Sequence, residues 1–222
     1  MNATFTYRVI VAGLLMAGSA TGSLADTNRD CLRVPVPAAL EQKIGQRLTL
    51  LKQKQPLCES DAATFVAVVK SIETLDMGNS ERDKVVSLQK IGFAALPALE
   101  PLMVDSDPQT RWQALTALRY MLGIARNRNT CVILHLQVAY SAVTAMAERS
   151  LLDRDVRNRA LSAGILSIIG AKCDVLLQSD VVPPLKEMMA NDPDADVRER
   201  ARKLLANLGV LPKQLGDSDC GT

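Results

Sequence analysis

Few side chains in this sequence can do chemistry. Its 222 residues include one histidine, His135, and five cysteines, Cys31, Cys58, Cys131, Cys173 and Cys220. A lone histidine excludes a multi-histidine metal site, and no Cys-x-x-Cys or Cys-x-x-His spacing supports zinc or a dithiol redox motif. As a general base His135 would need a nucleophile and an orienting acid. Ser141 and Asp153 can be named for those roles, but no motif links them. The Asp-rich turns at 105–107 and 192–196 suggest calcium, yet the second lacks the glycine and terminal glutamate of an EF-hand loop. Gly-x-Ser-x-Gly, His-Glu-x-x-His and Gly-rich phosphate loops do not occur. The residues thus predict a protein that is not an enzyme, with no catalytic residue, metal or cofactor. The alternative reading is an accessory lyase or hydrolase working through His135 or the Asp-rich turns.

The aspartates have a more local role. Three segments align around Asp107-Pro-Gln-Thr-Arg111, Asp153-Arg-Asp-Val-Arg157 and Asp194-Ala-Asp-Val-Arg198, each followed by Ala three residues on. Each continues as an apolar helical pattern to Gly123, Gly170 or Gly209, and a weaker copy with Gly78 in place of the Asp ends at Gly92. An Asp before a helix caps free amides and meets the positive end of the dipole, and Gly closes the helix in the left-handed conformation. A second amphipathic helix is expected before each, over 93–104, 132–151 and 181–190, with Pro97, Pro101, Pro183 and Pro184 in first turns or bends. With 48% apolar but 3% aromatic residues, the core is built from aliphatic side chains, which suits packed helices.

The Asp-x-Asp-Pro, Arg-x-x-Ala and Leu-Gly features resemble HEAT repeats, especially the phycobilisome-lyase-like subclass, over residues 80–210. The glycines are spaced by 31, 47 and 39 residues, near the HEAT period. The resemblance implies an all-α fold, a right-handed α-solenoid of HEAT-like helical hairpins. It also implies a structural ladder between units from the turn Asp and the following Arg: Asp107 with Arg111, Asp153 with Arg157, Asp194 with Arg198. Residues 26–79 read as an N-terminal helical cap, with helices from Pro37 to about Lys54 and from Ser60 or Asp61 through Leu75. Residues 211–222 read as a flexible C-terminal tail.

Residues 1–25 have the pattern of a secretory signal peptide: Arg8, an apolar stretch from Val9 to Ala17, then small residues ending Ser23-Leu24-Ala25. The stretch is too short for a membrane anchor. The mature chain is expected to be a soluble bacterial protein of the periplasm or exterior, without a transmembrane segment. In that oxidising setting Cys31–Cys58 is the preferred disulfide, worth about 3.5 kcal/mol by loop closure. Cys131–Cys173 is the second, since both fall in corresponding loops, and Cys220 is left over.

Binding candidates come from comparing units. Trp112 occupies a slot held elsewhere by Asn158 and Glu199, beside the slots of Gln113 with Arg159 and Arg200, Thr116 with Ser162 and Lys203, and Tyr120 with Leu166 and Asn207. Positions 113, 116 and 120 share a helical face, expected to form a concave stripe along the second helices. Residues 111–160 carry eight arginines against three acidic residues, while the formal charge of the whole chain is only +2. That near-neutral total excludes wholesale nucleic-acid binding. The expected partner is an acidic or carboxylate-bearing protein docking on Trp112, Gln113, Thr116, Tyr120, Arg126, Arg128, Arg159 and Arg200. An anionic cell-envelope polysaccharide at the Arg126/Arg128 edge is the other binding reading. Oligomeric state is not legible.

Overall fold

In the computed structural model the described residues are 31–74, 79–123 and 134–212, without the side chains of 79, 80, 134, 135 and 175. All regular elements among them are helical, so the fold is all-α. The leader, Arg126, Arg128, Cys131 and Cys220 lie outside the described residues, as does the side chain of His135.

The N-terminal helices are α1 (Ala38–Lys54), α2 (Glu59–Lys70) and α3 (Asn79–Ile91). Three helical pairs follow. In the first, α4 (Leu96–Leu99) is flanked by 3-10 turns at Gly92–Ala95 and Glu100–Val104, and leads to α5 (Pro108–Gly123). The expected helix over 93–104 is broken up because Pro97 and Pro101 each remove an amide donor from the ladder. The second pair is α6 (Leu134–Ser150) with α7 (Val156–Lys172). A short helix α8 (Asp174–Leu176) and a π turn (Leu177–Val181) lead to the third, α9 (Val182–Asn191) with α10 (Ala195–Asn207). The second helices form one row, α3 on α5, α5 on α7 and α7 on α10. No described helix is long and apolar enough to cross a membrane.

The core is continuous and aliphatic. Leu115, Leu118 and Leu122 of α5 and Ile165, Leu166 and Ile169 of α7 are essentially fully buried. Phe93 meets Tyr140 with ring centroids 5.5 Å apart, within the range for tilted aromatic pairs. Glycines divide into two roles. Gly92 and Gly209 have φ of +66° and +73°, as the helix-stop expectation requires. Gly123 and Gly170 instead stay within α5 and α7. Gly170 serves close approach: a Cβ there would lie 2.9 Å from a Leu177 methyl and 3.1 Å from methyls of Val181 and Leu208.

The N-terminal part differs from a cap at one end. Helix α2 packs on α3 and α5, but α1 lies along α6. Residues 31–33 run beside the α6–α7 turn, where the Arg33 amide donates to Leu152 O at 2.7 Å and the Arg154 amide to Cys31 O at 3.0 Å. The ion pair Arg33–Asp192 (3.3 Å) ties this strap to the end of α9, and Lys43–Asp180 (3.1 Å) ties α1 to the π turn before it. These partners belong to three different elements, so no periodic pattern announces them.

The preferred disulfide does not form. Cys31 and Cys58 are both thiols, the first buried and the second exposed at the start of α2. The strap anchors Cys31 beside Val104, whose carbonyl lies 3.9 Å from Sγ, and Cys58 Sγ lies 3.3 Å from Ser60 Oγ. Burial pushes the Cys31 thiol up, with the Arg111 guanidinium pulling the other way. Cys173 is buried and disulfide-bonded. Its expected partner, Cys131, lies outside the described residues.

Candidate partner-binding groove

The site rests on a ladder of buried ion pairs. Arg111 of α5 donates through Nε and Nη2 to both carboxylate oxygens of Asp153 at 2.6 and 2.8 Å. Arg159 of α7 repeats this on Asp192, at 2.7 and 2.9 Å. In both, Nη1 is held by carbonyls of the arginine's own turn, Asp105 and Ser106 for Arg111 and Asp153 and Arg154 for Arg159. Such bidentate, charge-assisted pairs are the strong class of hydrogen bond.

The ladder corrects the repeat register. The shared spacing is Asp-x-Asp-x-x-x-Arg: Asp105, Asp107, Arg111; Asp153, Asp155, Arg159; Asp192, Asp194, Arg198. The first Asp of the second and third turns receives the preceding unit's arginine. The second Asp caps its own helix: Asp107 accepts from the amides of Gln109 and Thr110, Asp155 from Arg157, and Asp194 from Asp196 and Val197. Asp107 and Asp194 are therefore caps and not rungs, while Arg157 is 57% exposed and pairs only with Asp155. Asp153 is thus equivalent to Asp105, two residues from the expected match with Asp107. Thr110 and the cap amides hold the Asp107 carboxyl below its usual range, and Arg157 does the same for Asp155.

The corrected register redraws the binding stripe. Arg159 is buried in its rung and presents nothing to a partner. Gln113 Nε2 donates to Lys70 O and Ile72 O, both at 2.9 Å, and the Tyr120 hydroxyl donates to Thr74 O at 2.9 Å. Thr116 is fully buried. Gln113 and Tyr120 hold the chain leaving α2 at residues 70–74, and Thr116 is buried beneath, so that part of the stripe is covered. Arg126 and Arg128 lie outside the described residues.

Trp112 and Arg200 do come together. They line a groove of about 430 Å³ across the starts of α5, α7 and α10. Its floor is Trp112, Val156, Ala160, Leu161 and Val197, and its rim carries Arg119, Arg157, Arg200, Asp194 and Asp196. Val156 is 40% exposed, a large apolar side chain facing water. Among the described residues Arg119 and Arg200 have no ion-pair or hydrogen-bond partner. Arg119, Val156 and Arg157 were missed as groove residues; they occupy different slots of their units, and only the packing of α5, α7 and α10 brings them together.

A larger cleft, about 620 Å³, lies between α1, the end of α6 and the start of α9. Its principal charges are already paired, Lys43 with Asp180 and Arg33 with Asp192. Among the described residues the Glu148 carboxyl on its wall makes no hydrogen bond or ion pair, and burial pushes it up, Lys43 lowering it in part and Asp180 adding to the rise. A carboxyl raised by folding favours the protonated form, so Glu148 detracts from stability once pH exceeds the unfolded value near 4.3. Glu148→Gln is expected to stabilise the protein at pH 7 in urea unfolding, with the gain fading towards pH 4.

No group of three or more metal-ligating side chains gathers among the described residues. Comparison with family models, with curated proteins and with solved structures gives no match for this chain.

Proposed function

We propose that this chain is an exported, non-catalytic scaffold or adaptor, which binds another protein on the second-helix face of a right-handed, HEAT-like α-solenoid. The single observation that carries the reading is the groove at Trp112: an apolar floor rimmed by Arg119 and Arg200, on helices held in register by buried Arg–Asp rungs. The fitting ligand is a polypeptide segment with an apolar side chain for the floor and a carboxylate for the arginines, since a guanidinium favours planar, bidentate recognition. Rigid helices limit the ordering cost of binding on the scaffold side. The leader pattern at 1–25 and the cysteine content support export to the periplasm or exterior.

The non-catalytic reading is supported at the Asp-rich turns by Asp105, Asp107, Asp192 and Asp194, whose carboxylates serve turn amides, helix caps and arginine pairing. Capture of a binding protein from an exported-protein fraction, compared between wild type and Trp112→Ala, tests the proposal. Loss of a central aromatic anchor costs 2 kcal/mol or more, so affinity is expected to fall by about thirtyfold. Circular dichroism should show the variant folded, though less stable, because half-buried Trp112 also packs on the core. Equal affinity for the two proteins would refute it.

A further inference from the structure

The cleft between α1, the end of α6 and the start of α9 is built like a ligand site. Its volume of about 620 Å³ falls within the range of small-molecule pockets. Much of its wall is apolar, formed by Val34, Leu40, Leu151, Leu152, Pro184 and Met188. Leu40, Leu151 and Met188 belong to the buried core, whereas Val34 on the strap is 50% exposed.

The charges of the cleft are paired with one exception. Arg33 pairs with Asp192 and Lys43 with Asp180, and Glu187 accepts from Asn191 Nδ2 at 2.7 Å. Glu148 alone has no partner among the described residues. It is half-buried, and the Lys43 ammonium whose field it feels sits on Asp180 instead. Taking a carboxylate out of water without a counter-ion costs stability. Glu148 therefore weakens the fold while facing the cleft, and a desolvated charge in a pocket is the physical mark of a binding group.

The ligand follows from complementarity. Four acidic side chains against two basic ones, Arg33 and Lys43, give the cleft a formal charge of −2, which disfavours anions. One unpaired carboxylate calls for one cation, and the apolar wall calls for an alkyl body. We propose that this cleft binds a small primary aliphatic amine, with its ammonium on the Glu148 carboxylate and its chain along the wall of Leu40, Leu151 and Met188. The site is separate from the Trp112 groove and does not rest on the binding reading made there.

Isothermal titration calorimetry of the full chain at pH 7 with n-hexylammonium chloride tests this. Methylammonium carries the charge without the chain, and 1-hexanol the chain without the charge. Hexylammonium is expected to saturate one site with a Kd on the order of 1 mM or tighter, near what so small a ligand allows. Each of the other two should bind at least about tenfold more weakly to the wild type. Glu148→Gln keeps the shape and removes the charge-assisted bond, so hexylammonium should weaken about tenfold while 1-hexanol is unaffected. That variant is expected to be at least as stable as the wild type, so its loss of affinity reads the site. No saturation by hexylammonium, or equal affinity for it in the two proteins, overturns the inference. So does methylammonium or 1-hexanol binding the wild type as tightly as hexylammonium, a result readable without any variant.

Discussion

Asp153→Ala is expected to destabilise the protein by about 3–5 kcal/mol, the cost of breaking a buried ion pair from one side. Asp153 is 1% exposed and serves four donors: Arg111 Nε and Nη2, Asn158 Nδ2 at 3.1 Å and the Asp155 amide at 2.8 Å. Its removal leaves the Arg111 guanidinium, 3% exposed, as a buried charge held only by the carbonyls of its own turn. The strap is affected as well, since Leu32 bridges to Asp153 in antiparallel fashion. Urea unfolding at constant m value measures the loss. The exposed cap Asp107→Ala should cost only about 1 kcal/mol, and the double variant Arg111→Met/Asp153→Leu should recover much of the single variant's deficit. A loss at Asp153 no larger than at Asp107 would remove the ladder from the account of stability.

Gly170→Leu is expected to cost about 2 kcal/mol and lower Tm by about 4–8 °C, through overpacking where α7 meets the π turn and the end of α10. The three atoms nearest the missing Cβ are methyl groups of Leu177, Val181 and Leu208. A single added methyl can be met by shifting side-chain tips, and it gains up to about 1 kcal/mol of helix propensity. Gly170→Ala should therefore be close to neutral in the same thermal melts. A leucine tolerated as well as alanine would mean that α8 and the π turn are not seated on α7.

Local chemistry made most of the helices legible. Turn aspartates, apolar spacing and prolines placed the paired helices within a few residues, because each signal acts over one or two turns. The ladder was only half legible. Arg157 and Arg159 both follow Asp153 on the same helix start, and choosing between them depends on which one faces the next unit. That is decided by packing of α7 on α10, beyond the reach of local spacing. The stripe failed at Gln113, Thr116 and Tyr120 for a similar reason. The carbonyls of Lys70, Ile72 and Thr74 needed donors, and nothing in residues 111–123 says that α2 would bring them there. Trp112 was legible because an aromatic residue in a slot read as polar, beside Asn158 and Glu199, stands out in a chain with a single tryptophan.

That single tryptophan allows the most direct test of the binding groove. Emission from Trp112 should shift to the blue as the captured partner protein is titrated into the wild-type chain. With Arg200→Glu the same shift should require about tenfold more partner, because one charge-assisted contact becomes a repulsion. Saturable binding with no change in Trp112 emission, or with equal affinity for both chains, would place the partner elsewhere on the molecule and contradict the account.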